Sequence, residues 1–184
     1  MDSITMYGPF SFRGSDSIFN HIEVNVNGLY IWCVKLEGPR YRAYYVGEGS
    51  NIAARLKNHL KLSLAGRYQA HCLEGLRRKE SILMHRPGVG MIPRFSHLDR
   101  EAFNNDFVDN MCIFYGEVPT TGDKAEDTRL RRRYEAGVVR HIENAGLHVL
   151  NVGGILNWAG ESQSVKFETN KCEIEALSGE LVVI

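Results

Sequence analysis

Two tyrosines, an arginine and a histidine lie close together in the first third of the sequence. Tyr30 stands in GLYIW at 28–32 and Tyr45 in YYVGEG at 44–49, on stretches that predict the two strands of a β-hairpin. Side chains at matching positions of such strands can share one face of a sheet. Arg55 and His59 are four residues apart on the helix predicted next, so they share a helix face. Each residue alone is typical of an ordinary strand or solvated helix, but together they could form one site.

A carboxylate and an amide extend this pattern later in the chain. Glu135 lies on a long predicted helix, beside its apolar stripe and after the run RLRRR at 129–133. Its carboxylate could pair with Arg131 or Arg132, or it could bind a metal ion. Asn151 follows where the chain leaves that helix.

This ordered set resembles the GIY-YIG nuclease family, which is named for two short motifs on neighbouring strands. The motifs stand here as GLY at 28–30 and YVG at 45–47, and the resemblance covers roughly residues 27–152. The family then places an arginine and usually a histidine on the next helix, and later a metal-binding glutamate followed by an asparagine. The residues that match are Arg55, His59, Glu135 and Asn151.

The resemblance implies a metal-dependent endonuclease that hydrolyses DNA phosphodiester bonds, with a site-specific action like that of stand-alone restriction enzymes. Glu135 would hold Mg²⁺ or Mn²⁺, because a single carboxylate with waters and phosphate oxygens suits a hard cation. The ion would stabilise the departing 3′ oxygen. Arg55 would bind the scissile phosphate, because a guanidinium matches phosphate oxygens in a bidentate way.

The attacking water needs a base, and the tyrosines are the candidates. A free tyrosine has a pKa of about 10, which nearby cations would lower by favouring the phenolate. We expect Tyr30 to be the base and Tyr45 and His59 to orient it or the water, although the resemblance leaves the division between the two tyrosines open. Asn151 would hold the local geometry.

The sequence departs from a minimal family member in two ways. The stretch between His59 and Glu135 is long, which indicates an insertion at about 68–110, and no separate DNA-binding module such as a zinc finger is recognisable. Three alternatives stay open: a structure-directed repair or recombination nuclease, an inactive nucleic-acid-binding module of the same fold, and an unrelated protein in which the motifs are chance.

The signs of charge segregate along the chain, although the formal net charge is zero. Residues 35–94 hold twelve Lys/Arg and four Asp/Glu, whereas both flanking segments are acidic. Such a block fits a basic face for double-stranded DNA, and equally a solvated surface compensated in space. Contacts to phosphates would add affinity rather than sequence information. The candidates are Arg77, Arg78, Lys79, Arg86, Arg94, Arg131 and Arg132.

Periodicity and turn residues predict an α/β (α+β) fold, with a small antiparallel sheet of about three strands flanked by helices and a short β-prone C-terminal tail. In the tail, VKFET and ELVVI could pair with each other. A loop is expected at 85–97, and Asp99 is expected to cap the helix after it. Strands are predicted at 28–38, 41–47 and 111–118, and helices at about 52–65, 68–84, 100–110 and 123–145.

Composition is that of an ordinary globular chain, with 43% hydrophobic and 24% charged residues. No apolar run approaches the roughly 20 residues needed to span a membrane, and no signal-peptide pattern is recognisable. The four scattered cysteines form no C-x-x-C pair and are expected to be reduced thiols, so we expect a cytoplasmic protein. A homodimer is possible. The expected organisation is an N-terminal extension at 1–26, a nuclease-like domain at 27–152 and a tail at 153–184 packed on it.

Overall fold

The computed structural model describes residues 2–97, 99–150 and 163–184 of the chain. The helices are α1 (Ile52–Leu64), α2 (Leu73–Arg77), α3 (Arg100–Asn110) and α4 (Lys124–Asn144). The strands are β1 (Asp2–Phe10), β2 (Gly28–Lys35), β3 (Arg40–Gly49), β4 (Ala70–His71), β5 (Leu83–Arg86), β6 (Gly90–Met91), β7 (Met111–Glu117), β8 (Ser164–Thr169), β9 (Glu173–Ile174) and β10 (Leu181–Val183).

The predicted small three-stranded sheet is wrong, because seven strands form one mixed sheet in the order β10-β8-β1-β7-β2-β3-β9. The expected core of β2, β3 and β7 is present and antiparallel. Beside β7 lies β1, which in turn runs parallel to β8, so both ends of the chain extend the sheet. A second sheet of three strands, β4-β5-β6, lies in the region expected to be an insertion.

The strand β1 carries the period-two pattern of a sheet with one covered face, but Gly8 and Pro9 obscure it in the sequence. Ile4 and Met6 alternate into the core, and both are almost fully buried. The tail pieces pair with each other as expected, since β8 and β10 are antiparallel.

Helices cover the large sheet on both faces, and β2 alternates strictly between the two cores. Leu29, Ile31 and Cys33 pack in the core that contains α4. Tyr30, Trp32 and Val34 pack in the core that contains α1, α2 and α3. The burial of β2 on both faces explains its continuous apolar and aromatic sequence.

A β-bulge in β3 places two consecutive tyrosines on the α1 side. Trp32 is opposite Tyr45 and Cys33 is opposite Ala43, which leaves Tyr44 as the extra residue. Tyr44 and Tyr45 therefore both pack in the core that contains α1. The bulge thus aims Tyr45 toward the side on which Tyr30 lies.

Three predicted helices are confirmed, and each begins at a residue whose side chain accepts backbone N–H bonds. Asn51 caps α1, Asp99 caps α3 and Asp123 caps α4. The predicted helix at 68–84 is wrong, because α2 has only five residues. It ends in a Schellman motif in which Lys79 has φ 65°, and the Glu80 N–H donates to the Gly75 carbonyl at 2.9 Å. The predicted loop at 85–97 contains β6 and part of β5.

None of the helices in the described parts of the chain is long and apolar enough to cross a membrane.

Candidate active site

Tyr30 is the buried centre of the site, and Gly47 makes room for its ring. The two residues are paired across β2 and β3. A Cβ atom on Gly47 would lie 2.4 Å from Cζ and 2.5 Å from the hydroxyl oxygen of Tyr30, closer than any real contact. The glycine of the YVG motif is therefore required by the tyrosine of the GLY motif, which connects the two motifs through one steric contact.

The Tyr30 hydroxyl lies close to three of the residues selected from the sequence. It lies 3.2 Å from His59 Nδ1. Arg55 and Tyr45 lie close enough to the same hydroxyl to change its pKa. The Tyr30 and Tyr45 ring centroids are 6.2 Å apart, and the Tyr45 and His59 centroids are 4.4 Å apart with the rings nearly perpendicular. Side chains from β2, β3 and α1 thus meet around one phenol.

Glu135 joins this group from α4. Its carboxylate is close enough to act electrostatically on the Tyr30 and Tyr45 phenols and on Arg55. The structure therefore brings together Tyr30, Tyr45, Arg55, His59 and Glu135. Asn151, the sixth candidate, lies outside the described residues.

The tyrosines are more difficult to ionise in this site than in water, which is the reverse of the sequence-based expectation. Burial, together with the neighbouring Tyr45 phenol, raises the pKa of Tyr30 above its ordinary value of 10.0, although Arg55 opposes the shift. Burial and Glu135 raise the pKa of Tyr45 to about 12. The free-energy cost of removing a phenolate from water is larger here than the stabilisation that the partly exposed Arg55 guanidinium gives it.

His59 is held in its neutral form. Only 7% of the residue is exposed, and burial together with the positive charge of Arg55 lowers the pKa of His59 to about 4. A neutral imidazole has one ring nitrogen free to accept a proton. Since Nδ1 faces the Tyr30 hydroxyl, the phenol can donate its hydrogen bond to that nitrogen.

Glu135 is a partly buried carboxylate whose ionised form its surroundings disfavour. Burial and the nearby Glu48 raise the pKa of Glu135 to about 7, while Arg55 and Arg132 oppose the shift. Glu48 itself pairs with the buried Arg131, whose Nε lies 2.7 Å from its carboxylate. A divalent cation would relieve the cost of the buried charge, so the donor chemistry fits Mg²⁺ or Mn²⁺.

The donor set is a single carboxylate rather than a preformed cage. Among residues 2–97, 99–150 and 163–184, no cluster of three or more His, Cys, Asp or Glu could hold a metal ion. Mg²⁺ commonly keeps several waters and binds through one or two carboxylates and substrate phosphates. A single carboxylate such as Glu135 is thus compatible with a site that substrate would complete.

The candidate phosphate contacts differ in availability. The Arg131 guanidinium is buried and bonded to Glu48, Asn27 and Thr128, so it is occupied within the protein. Arg132, on the same helix, is exposed and acts on Glu135.

The remaining candidates lie farther from the site. Arg77 donates to the Lys35 carbonyl at the opposite end of β2 from Tyr30, and Arg78 pairs with Glu74 at 3.0 Å. The other three are exposed: Lys79, Arg86 and Arg94.

The sequence analysis missed Trp32 and Tyr68, which surround His59. Their ring centroids lie 4.4 Å and 4.8 Å from the His59 ring. Trp32 alternates with Tyr30 on β2, so the strand period could have placed it on the same face. Tyr68 reaches the site only because the chain turns after α1 at Gly66, where φ is 68°, and no local pattern indicates that contact.

Comparison of the chain with protein-family models, with curated proteins and with solved structures found no match.

Proposed function

We propose that the protein is a divalent-metal-dependent endonuclease that hydrolyses DNA phosphodiester bonds at specific sites. The convergence of Tyr30, Arg55, His59 and Glu135 from three separate regions of the chain carries the proposal. This combination supplies a phosphate-binding cation, a hydrogen-bonded phenol beside a neutral imidazole, and a carboxylate for a hard metal ion. The expected substrate is double-stranded DNA, and the expected location is the cytoplasm.

In this mechanism Arg55, an exposed residue of α1 beside the Tyr30 phenol, binds the scissile phosphate through its guanidinium. A water attacks phosphorus, and the bond from phosphorus to the 3′ oxygen breaks. The water gives its proton to the Tyr30 oxygen while the phenol passes its own proton to His59 Nδ1. This coupled transfer avoids a free phenolate, which the raised pKa of Tyr30 disfavours. Burial and Arg55 lower the pKa of His59 to about 4, and a negative phosphate bound to Arg55 would offset that positive charge and stabilise the imidazolium.

The other residues support these two steps. Tyr45 orients the Tyr30 phenol, whose ring lies beside its own. Glu135 would hold Mg²⁺ or Mn²⁺, which when bound supplies positive charge to the departing 3′ oxygen. Asn151 keeps the supporting role that the resemblance implies for it.

The test is incubation of the purified protein with supercoiled plasmid in Mg²⁺, in Mn²⁺ and in EDTA. Discrete metal-dependent fragments are expected from the native chain. Glu135→Ala should abolish cleavage and leave DNA binding intact, because the carboxylate holds the metal and not the DNA. Glu143→Ala removes an exposed carboxylate from the same helix and should cleave normally. Cleavage by Glu135→Ala at the native rate would refute the role of Glu135.

A further inference from the structure

A cavity of about 220 Å³ opens directly beside the candidate active site. Tyr45, Arg55 and His59 of that site form part of its lining. The rest of the lining comes from β2, β3, α1, α3, the chain between α1 and β4, Ala70 of β4, and Leu150. Its walls are unusually rich in rings, which are contributed by Trp32, Tyr44, Tyr45, His59, Tyr68, Phe103 and Phe107.

The cavity presents mainly rings, because the polar atoms of two lining residues are enclosed by the walls. Trp32 is 1% exposed, and within the described residues its indole N–H has no hydrogen-bond acceptor. Among the same residues Asn104 Oδ1 has no donor, while the amide nitrogen of that side chain donates to the Leu64 carbonyl at 3.3 Å. Aromatic walls on several sides of one cavity indicate a planar ligand that stacks on them.

Arg55 connects this cavity to the proposed chemistry. Its guanidinium is the proposed binding group for the scissile phosphate, and the same side chain lines the cavity. A nucleotide whose phosphate lies on Arg55 carries its base on the adjoining sugar, close to the cavity mouth. All four nucleobases are planar, stack on aromatic rings and present both donors and acceptors.

We infer that this cavity binds one unstacked nucleobase of the substrate next to the scissile phosphate, between its aromatic walls. The inference rests on the proposed nuclease function, because Arg55 is assigned to the phosphate there. Removing a base from a duplex costs less free energy when the base is already mismatched or bulged, and a base in a single strand requires no removal. The protein therefore binds DNA with an unpaired base beside the cleavage site more tightly than fully paired DNA.

Binding without chemistry tests the inference. In EDTA, three duplexes of one sequence are compared: fully paired, with a single bulged adenine, and with an abasic residue at the bulge. We expect the bulged adenine to bind about tenfold more tightly than the other two, because one stacked base is sufficient for such a gain. Equal binding of the adenine bulge and the abasic bulge would overturn the inference, because they differ only in the base.

Two variants direct the test to this cavity. Phe103→Leu replaces a ring of the cavity wall by an aliphatic side chain of similar size, so the packing on Phe107 is largely kept. Tyr68→Ala removes a ring beside His59. Both should reduce the preference for the bulged adenine severalfold. Tyr7→Ala removes another exposed tyrosine that does not line the cavity and should retain the preference. An unchanged preference in both cavity variants would overturn the assignment.

Further measurements distinguish a base of DNA from a free nucleotide, and a failure of the cavity assignment from a failure of the nuclease proposal. Adenosine 5′-monophosphate is titrated against the protein, and binding as tight as that of the bulged duplex would assign the cavity to a free nucleotide instead. Selective binding of the bulge without cleavage of any DNA in Mg²⁺ or Mn²⁺ would refute the nuclease proposal and leave a base-binding cavity. Metal-dependent cleavage with no bulge preference would refute the cavity assignment alone.

Discussion

The phenol of Tyr30 lies between a cation and a neutral base, and this arrangement defines the site at the scale of single residues. Arg55 and His59 both lie close to its hydroxyl, while burial keeps the phenol protonated. The same burial acts on Glu135, whose raised pKa makes its charge dependent on pH near neutrality. Proton transfer and metal binding are therefore both sensitive to how deeply the site is buried.

Metal binding should strengthen as pH rises through neutrality. The pKa of Glu135 is raised to about 7, so below that pH the carboxyl is protonated and must lose a proton before it binds a cation. We expect the Kd for Mn²⁺ to increase about tenfold for each pH unit below 6 and to level off above 8. Calorimetric titration between pH 5.5 and 8.5 measures this, with Glu135→Gln as the variant that should lose the site. A constant Kd across that range would contradict the prediction.

Gly47 should be intolerant of any side chain, for a reason that a double-mutant cycle can isolate. Gly47→Ala places a methyl group against the Tyr30 ring, 2.4 Å from Cζ, and we expect a loss of about 2 kcal/mol in the free energy of unfolding. Tyr30→Ala removes the ring, so adding Gly47→Ala to that variant should cost less than about 1 kcal/mol. Denaturant unfolding measures both steps. An equal cost in the two backgrounds would show that the ring is not the obstacle.

At the scale of elements, the positions at which α1 and α2 end decide which parts of the chain lie over the site. The helix α2 ends after five residues, and the chain then continues into the small sheet. Residues of the chain between α1 and α2 line the cavity. Both α2 and α4 end in Schellman motifs, with Lys79 and Gly146 at the left-handed position, where φ is 65° and 76°. The two helix ends therefore form a matched pair for a test of backbone strain.

Lys79→Gly should stabilise the protein by about 1 kcal/mol, because glycine adopts positive φ without the steric cost that a lysine bears. The matched change in α4, Gly146→Ala, should destabilise by about the same amount. Midpoints of denaturant unfolding provide both values. Lys79 is also a candidate phosphate contact. The DNA affinity of Lys79→Gly, measured at two salt concentrations, gives the electrostatic contribution of Lys79 to DNA binding. A stability loss in Lys79→Gly would show that the strain argument is wrong.

At the scale of the whole molecule, the sequence-distant tail is tied to the hairpin that carries the site. Glu175 accepts a bond from the buried Arg42 at 2.6 Å and another from Arg40 at 2.7 Å. Arg42 also donates to the Leu76 carbonyl on α2. With β8 beside β1 in the large sheet, this network makes the tail part of the same folded unit as β3.

Glu175→Ala should therefore destabilise the whole protein and not only its tail. It leaves the Arg42 guanidinium, which is 4% exposed, without a counter-charge, and the expected loss is about 3–5 kcal/mol in the free energy of unfolding. Glu168→Ala breaks the half-exposed pair with Lys166 in the same tail and should cost less than about 1 kcal/mol. Thermal unfolding followed at two wavelengths checks both variants. A separate early transition of the tail in Glu175→Ala would contradict the single-unit prediction.

The sequence by itself determined the strands and helices that carry the site and the order of the site residues, although it predicted a helix at 68–84 where α2 has only five residues. Helix caps at Asn51, Asp99 and Asp123, and the strands around Tyr30 and Tyr45, follow from neighbouring residues, so their patterns are readable without a fold. The tertiary structure alone decided the seven-stranded sheet, because β1 and β8 pair across most of the chain length and no local signal encodes such a pairing. It also decided the chemistry, since burial by distant elements raises the pKa values of Tyr30 and Glu135 and lowers that of His59.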